Sequence, residues 1–384
     1  MAKPNTHNQQ VFAFIVNDDK YFLSHRLPIG LELLKRGFKV HVIVGACNEK
    51  EKLKELGFIP HLIKISRKGK NPFRELAVLF QMIRVLKEIK PTTVHLVNIK
   101  PYLYGGIAAR LTGVPNTVSA VAGLGGLFVP KSKKAKTLQI LLKPLYKLAF
   151  NHPNQKVIFQ NTYDRELLQS WIGLEPSKTV LIKGSGADIS LYPFKPEPIN
   201  NPPVISLASR LLRDKGVIEL VEAAKLLKKE GIKVTIQIIG EPDLENSNSL
   251  TQEELQNWHD TGLINYLGYR TDIAKLFSLS NIISLPSYYG EGLPKVLIEA
   301  AACGRAVITT DHPGCRDAII KDKTGLLVPV KNSQALAKAI KKLIQQPQLR
   351  SEMGKAGREL AKQEFAIEKI VEQHLSVYEE LSTS

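Results

Sequence analysis

Cysteine is scarce in this chain. Its three cysteines, Cys47, Cys303 and Cys315, lie far apart with no C-x-x-C spacing. That excludes a disulfide framework and a thiolate zinc site, and leaves them as small apolar residues. No apolar run approaches the roughly 18 to 20 residues that span a bilayer. The start, Met1–Gln10, is polar, and the apolar stretch Val11–Val16 is too short for a signal-peptide core of about 7 to 15 residues. A cytoplasmic protein is therefore expected. No G-x-G-x-x-G follows the opening strand, so a dinucleotide fingerprint is missing. Asp18 and Asp19 are adjacent but lack further clustered ligands, so no metal is expected. Neither an aromatic-rich RNA motif nor a DNA-reading module is present, so nucleic acid is not an expected partner.

What is present is a basic charge confined to one half. Residues 1–190 carry 29 Lys and Arg against 12 Asp and Glu, and the remainder is balanced at 24 of each. The net +17 therefore belongs to the N-terminal half, which suits an anionic partner such as a membrane surface or a phosphorylated substrate. The lysine-dense stretch Lys131–Phe150 mixes Lys131, Lys133, Lys134, Lys136, Lys143 and Lys147 with leucines. It reads either as a helix able to lie in a membrane interface or as one packed on its own domain with a solvated lysine face.

Short β-rich runs alternate with amphipathic helical stretches throughout, as in a parallel sheet covered by helices. Strands are expected at Val11–Val16, Lys39–Val44, His61–Lys64, Thr93–Val97, Asn116–Ala120 and Lys156–Phe159, with helices at Ser24–Arg36 and Phe73–Lys90. Tyr192–Pro203 holds five prolines in twelve residues and reads as an interdomain linker. The alternation then restarts with strands Val204–Ala208, Lys233–Ile239, Ile264–Leu267, Asn281–Leu285, Ala306–Thr310 and Leu326–Val328. The expected fold is α/β, with two doubly wound Rossmann-like domains facing a central cleft. Residues 1–192 are expected to form the N-terminal domain and 193–365 the C-terminal one. A closing helix at 366–384 either stays on the second domain or packs back on the first.

Ligands of such folds sit at the carboxyl ends of the strands. There, Gly290-Glu291-Gly292-Leu293-Pro294 opens a helix carrying Glu299. Pro294 suits a first helical position, and amides at a helix start suit a diphosphate. Glu291 and Glu299, the latter roughly 7 Å along the axis from the helix start, would bracket that diphosphate and bond hydroxyls on either side. The spacing alone fits equally a surface helix with two unrelated glutamates. After the strand Val204–Ala208, Arg210 and Lys215 either stand where phosphates are gripped or belong to a basic loop capped by Gly216, while Arg213 reads as solvated. Gly240 serves either a ligand approaching the backbone or an ordinary turn. In the first half, Asn17 and His25 follow the opening strand. Gly123 and Gly125 follow another, either admitting substrate or making a turn.

Taken together, these segments resemble the family-4 retaining glycosyltransferases, whose fold is GT-B. The resemblance rests on Glu291-x7-Glu299, Ser209-Arg210 with Lys215-Gly216, Ser185-Gly186-Ala187-Asp188 with Tyr192-Pro193-Phe194, and Gly325-Leu326-Leu327-Val328-Pro329. Phe22-Leu23-Ser24-His25-Arg26-Leu27-Pro28, Asn98-Ile99-Lys100-Pro101 and Gly105-Gly106-Ile107-Ala108-Ala109-Arg110 resemble bacterial polysaccharide and glycan transferases of the PglA type. The resemblance implies transfer of a hexosyl or N-acetylhexosaminyl group from a nucleotide sugar, UDP-linked, to a lipid-diphosphate-linked glycan at the inner face of the cell membrane. It also implies acceptor binding by residues 1–192 and nucleotide-sugar binding by 193–365. No metal and no cofactor are implied. Arg210 and Lys215 would neutralise the leaving diphosphate. Glu291 would hold the sugar and Glu299 the ribose. Gly292, Leu293 and Pro294 would line the donor, with Tyr269 and Arg270 near the base. Many relatives place a histidine where this chain has Ala122-Gly123-Leu124-Gly125. The alternatives are a GT-B sugar-nucleotide epimerase and a non-catalytic basic protein that binds membrane or nucleic acid.

Overall fold

The computed structural model describes residues 10–65, 72–128 and 133–383. The chain forms two compact units. One comprises the residues up to Ser185 together with Glu368 onward, and the other Gly186–Ile367. The division falls just before the proline-rich segment expected to be the linker.

In the first unit the order is β1 (Val11–Val16), α1 (Asp19–His25), α2 (Leu27–Lys35), β2 (Lys39–Val44), α3 (Lys50–Glu55), β3 (Ile59–Leu62), α4 (Pro72–Ile89), β4 (Thr93–Val97), a π-helical turn (Pro101–Gly105), α5 (Gly106–Thr112), β5 (Asn116–Val121), α6 (Lys133–Ala149), β6 (Gln155–Phe159), α7 (Thr162–Ile172) and β7 (Thr179–Leu181). The sheet runs β3-β2-β1-β4-β5-β6-β7, all parallel. Successive side chains alternate between its faces. Ala13 and Ile15 pack with Met82, Ile107, Tyr146 and Leu168 of α4–α7, whereas Phe12 and Phe14 pack with Phe22, Ile29 and Leu53 of α1–α3. The single helix expected over Ser24–Arg36 is broken at Arg26. Pro28 has no N–H to offer the turn before it and its ring clashes there, so it opens a new helix instead.

In the second unit the order is β8 (Val204–Ala208), α8 (Val217–Lys229), β9 (Thr235–Ile239), α9 (Gln252–Asp260), β10 (Asn265–Tyr266), α10 (Ile273–Ser278), β11 (Ile282–Leu285), α11 (Lys295–Ala302), β12 (Ala306–Thr310), β13 (Gly325–Val328), α12 (Ser333–Gln345) and α13 (Pro347–Leu360). Its sheet runs β10-β9-β8-β11-β12-β13, again all parallel. Two of the cysteines, Cys303 and Cys315, are buried here, and burial pushes both thiols up to about 12.

The final helix, α14 (Ile367–Thr383), belongs to the first unit. Ile370, Tyr378 and Leu381 join the Phe12–Phe14 core, and Tyr378 OH lies 2.5 Å from His95 Nδ1. The proline-rich segment is no free linker. It is strapped to the second unit by three arginines. Arg305 donates to the carbonyls of Lys195 (3.0 Å) and Pro196 (3.4 Å), Arg350 pairs with Glu197 (2.6 Å), and Arg358 donates to the Tyr192 carbonyl (2.6 Å). Proline carbonyls and their neighbours, unable to join a sheet, are satisfied by buried guanidinium groups instead.

Candidate functional site

The sheet of the second unit reverses its winding at β8, which has β9 on one side and β11 on the other. Loops leaving the carboxyl ends of two adjacent strands diverge there and leave room for a ligand. The loop after β8 supplies Lys215, and the loop after β11 supplies Glu291. Their side chains meet, with Lys215 Nζ 2.5 Å from Glu291 Oε2, and only 9% and 19% of the two side chains are exposed. The contact is placed by backbone. Gly216 takes a left-handed φ of 80°, and a Cβ there would stand 2.2 Å from the Pro286 carbonyl oxygen, so α8 starts tight against the β11 loop. Tyr288 N donates to the Asp214 carbonyl (2.9 Å), joining the same two loops.

Ser287, which sequence reasoning passed over, completes this junction. Its Oγ lies 3.2 Å from the Asp214 carbonyl and 3.3 Å from Glu291 Oε1, while its carbonyl accepts from Thr310 Oγ1 of β12. The Tyr289 ring lies 5.1 Å from Lys215 Nζ and covers the ammonium. The signal in the sequence was faint: a serine two residues beyond a strand end.

Glu299 lies on α11, whose cap is Pro294, and it is buried. Its Oε1 accepts from Tyr192 OH at 2.6 Å and lies 3.4 Å from Lys295 Nζ. Gly292 and Leu293 form the turn leading into this helix, after Glu291 N donates back to the Tyr289 carbonyl at 2.8 Å.

Arg210 is turned elsewhere. It is half exposed and pairs with Asp243 at 3.0 Å, away from the Lys215–Glu291 contact. Arg213, read from the sequence as solvated, instead pairs with Glu254 at 2.6 Å, inside the capping box of α9. Gly240 has φ 130°, and a Cβ on it would lie 1.9 Å from the Ser209 carbonyl oxygen. The close approach that demands glycine there is thus to the β8 loop, whose path toward Arg210 it fixes. Tyr269 is exposed and Arg270 is held by Asp272 at 2.8 Å, both just beyond β10.

In the first unit Asn17 ends β1, and its carbonyl accepts from Gly45 N at 2.9 Å. Its side-chain Oδ1 is buried without a partner among the described residues, and so is Oδ1 of Asn98 at the end of the neighbouring β4. Asn98 also holds a φ of 78°, a strained position for a side-chain-bearing residue. His25 stacks on Tyr21 with ring centroids 4.2 Å apart, and its Nδ1 lies 2.7 Å from Ser24 Oγ. Asp18 and Asp19 have structural work. Asp18 caps α1 through Tyr21 N (2.8 Å), and Asp19 accepts from Glu49 N (2.5 Å). Gly123 and Gly125 follow β5 in the turn before α6. Of the basic residues leading into α6, Lys131 lies outside the described residues. No helix among the described residues is long and apolar enough to cross a membrane.

Comparison with known proteins agrees with this layout. The family described as "Glycosyl transferases group 1" matches residues 188–360, and "Glycosyl transferase 4-like" matches residues 12–161. The chain is 32% identical over 354 residues to an N,N'-diacetylbacillosaminyl-diphospho-undecaprenol alpha-1,3-N-acetylgalactosaminyltransferase of Campylobacter jejuni, covering 87% of this chain and 91% of that one. It belongs to the family-4 GT-B glycosyltransferases. As a glycosyltransferase it is also 27% identical to the capsular polysaccharide biosynthesis glycosyltransferase CapM of Staphylococcus aureus, over 97% of each chain. The fold is that of Anabaena HepE, solved in complex with UDP-glucose, with a TM-score of 0.77 at 21% identity, covering 98% of this chain and 100% of that one. The glycosyltransferase signatures thus cover both units, and the second carries the Lys215, Glu291 and Glu299 arrangement.

Proposed function

We propose that this glycosyltransferase moves a hexose or N-acetylhexosamine from a UDP-linked donor to an undecaprenyl-diphosphate-linked saccharide, with retention of the anomeric configuration. The observation that carries the reading is the Lys215–Glu291 pair at the winding reversal of the second sheet, with Glu299 on the adjoining helix. A diphosphate takes Lys215 from Glu291, and the freed carboxylate turns to the sugar hydroxyls. Arg210 leaves Asp243 to add a second cation. Gly292, Leu293 and Pro294 bound the phosphate side, Tyr269 and Arg270 the base, and Glu299 the ribose.

In the transfer itself the acceptor hydroxyl oxygen forms a bond to the anomeric carbon on the face from which the diphosphate departs. The bond from that carbon to the phosphate oxygen breaks with its electron pair. The hydroxyl proton passes to the departing phosphate, so no enzymic nucleophile is required. Fixed cations stabilise the charge that develops on the leaving group, the contribution that usually dominates such barriers. Lys215 and Arg210 supply it without a metal ion.

The acceptor belongs to the carboxyl edge of the first sheet, near Asn17, His25, Gly123 and Gly125. The anionic membrane surface is its source. On α6, Ile140 and Leu141 are exposed at 72% and 69%, among Lys136, Lys143 and Lys147. Phe73 and Phe80 of α4, on the same side of the sheet, are exposed at 79% and 61%. Apolar side chains flanked by lysines suit acyl chains beneath anionic headgroups, which supports a peripheral position on the inner face of the membrane.

The test is a panel of nucleotide sugars offered with polyprenyl-diphosphate saccharides. The lipid product is scored by mass and its new linkage by the anomeric proton coupling. One sugar added in the α configuration from an α-linked donor is expected. Inversion would overturn the retaining step, and a changed donor without acceptor would reveal an epimerase.

A further inference from the structure

Glu299 is engaged through one of its two carboxylate oxygens. Its Oε1 accepts from Tyr192 OH at 2.6 Å and lies 3.4 Å from Lys295 Nζ, so both of these contacts converge on one oxygen. Tyr192 lies 107 positions earlier in the chain, at the head of the proline-rich strap. It is held from behind by Arg358 of α13. One guanidinium nitrogen donates both to the Tyr192 carbonyl and to the carbonyl of Ala302, the last residue of the helix that carries Glu299. The Phe194 ring lies against Gly304, and Arg305 takes the next two carbonyls. Strap and helix are therefore pinned to each other at both the tyrosine hydroxyl and its backbone. Burial and the neighbouring carboxylate push the Tyr192 phenol far up, so it remains a hydrogen-bond donor at any physiological pH.

We propose that Tyr192 is a positioning residue that gives this enzyme its preference for ribonucleotide donors. Its hydroxyl fills the inner oxygen of Glu299 and fixes the carboxylate plane. Oε2 is left as a rigid acceptor for the vicinal ribose hydroxyls. Without the hydroxyl the carboxylate rotates toward Lys295 and loses its alignment. The inference rests on the reading that Glu299 holds the ribose, and it adds the element that makes the contact directional. A hydrogen bond to a charged group that is aligned in advance is worth more than one formed by a mobile side chain.

The test compares wild type, Tyr192→Phe and Glu299→Ala in the full chain. Calorimetry measures affinity for UDP and for its 2'- and 3'-deoxy forms. Steady-state kinetics gives KM and kcat for the donor, and thermal unfolding is followed in parallel. Phenylalanine keeps the ring and leaves the Arg358 contact, which is to backbone. Glu299→Ala is expected to abolish the preference for UDP over the deoxy forms. Tyr192→Phe is expected to weaken UDP by about tenfold, to leave at least one deoxy form within about twofold of wild type, and to raise KM while kcat holds. If Glu299→Ala keeps the wild-type preference, the ribose assignment itself fails and the proposal with it. If Glu299→Ala removes the preference but Tyr192→Phe retains it, the ribose reading stands and Tyr192 merely fastens the strap. Equal weakening of all three nucleotides with a lowered unfolding temperature likewise reduces Tyr192 to a structural role.

Discussion

Glu291→Gln separates two consequences that an ordinary loss of a ligand contact would couple. Lys215 Nζ and Glu291 Oε2 are 2.5 Å apart and mostly shielded. Two unit charges at that distance attract by about 7 kcal/mol at an effective dielectric of about 20. Desolvation offsets most of this, and breaking such a pair by removing one partner costs about 3 to 5 kcal/mol. Glutamine keeps the shape but leaves the ammonium uncompensated. Taking the lower figure for this partly exposed pair, the unfolding temperature of the second unit should fall by roughly 6 to 12 °C. Diphosphate binding should respond in the opposite sense. Wild-type enzyme must part the pair to present Lys215, and the variant need not, so UDP should bind as tightly or up to about tenfold more tightly. Transfer should fall by about 10²-fold or more, because the sugar loses its carboxylate. Calorimetry with UDP, a thermal shift series and product formation measure the three quantities. UDP affinity that declines in step with turnover would refute the reasoning, since Glu291 would then be assisting the diphosphate rather than competing for Lys215.

Replacing Ile140 and Leu141 together by aspartate should reduce flotation with anionic vesicles by about tenfold or more. The helical circular dichroism and transfer to a water-soluble acceptor should stay unchanged, and unaltered flotation would sink the membrane-facing assignment of α6. Transfer should survive excess chelator; loss of activity restored by added Mg²⁺ or Mn²⁺ would mean that Lys215 and Arg210 do not replace a metal. Acidification should destabilise the first unit selectively. Burial lowers His41 to about 4 and His374 to about 3, and holds His95 well below its ordinary value. Below about pH 6.5 the unfolded chain takes up protons that these folded histidines refuse. Each then removes up to about 1.4 kcal/mol of stability per pH unit as the pH falls toward 4, with the full contribution present above 6.5. A first-unit unfolding temperature independent of pH between 7 and 5 would contradict their burial as neutral rings.

Most strands were readable because parallel strands buried on both faces are near-continuous apolar runs, as Val11–Val16 is. The positions of Lys215 and Glu291 in loops beyond strand ends, and of Glu299 within the helix that follows, were readable from the sequence. What escaped the sequence is contact across long separations. Pairing of Tyr192 with Glu299, of Arg210 with Asp243, and of Arg305, Arg350 and Arg358 with the strap leaves no local periodicity. The helix Pro347–Leu360 was missed because Gly354 and Gly357 interrupt its pattern, and its place is fixed instead by packing against α11 and β12. The prolines of 193–203 correctly excluded regular structure. They carried no information that buried guanidinium groups would bind the segment to one unit.

The two halves use charge in different ways, and the fold explains why. In the second unit each named cation near the candidate donor loops already has a carboxylate: Lys215 with Glu291, Arg210 with Asp243, Arg213 with Glu254, Arg270 with Asp272. An anion alone cannot take Lys215 cheaply, because it strands a shielded Glu291 carboxylate. A ligand with a diphosphate at one end and hydroxyls at the other satisfies both partners of the parted pair at once. If the pair binds the donor as proposed, it should favour a nucleotide sugar over inorganic phosphate, although the half that carries it is balanced in charge. In the N-terminal half such pairs, Lys100 with Glu75 among them, leave most of the charge uncancelled, since 29 basic residues up to position 190 face only 12 acidic ones. An uncancelled field acts over about a Debye length of 8 to 10 Å and selects by surface potential rather than by shape. Short-range replacement of a pair suits a soluble donor of defined geometry, and a long-range field suits an acceptor dispersed over an anionic membrane.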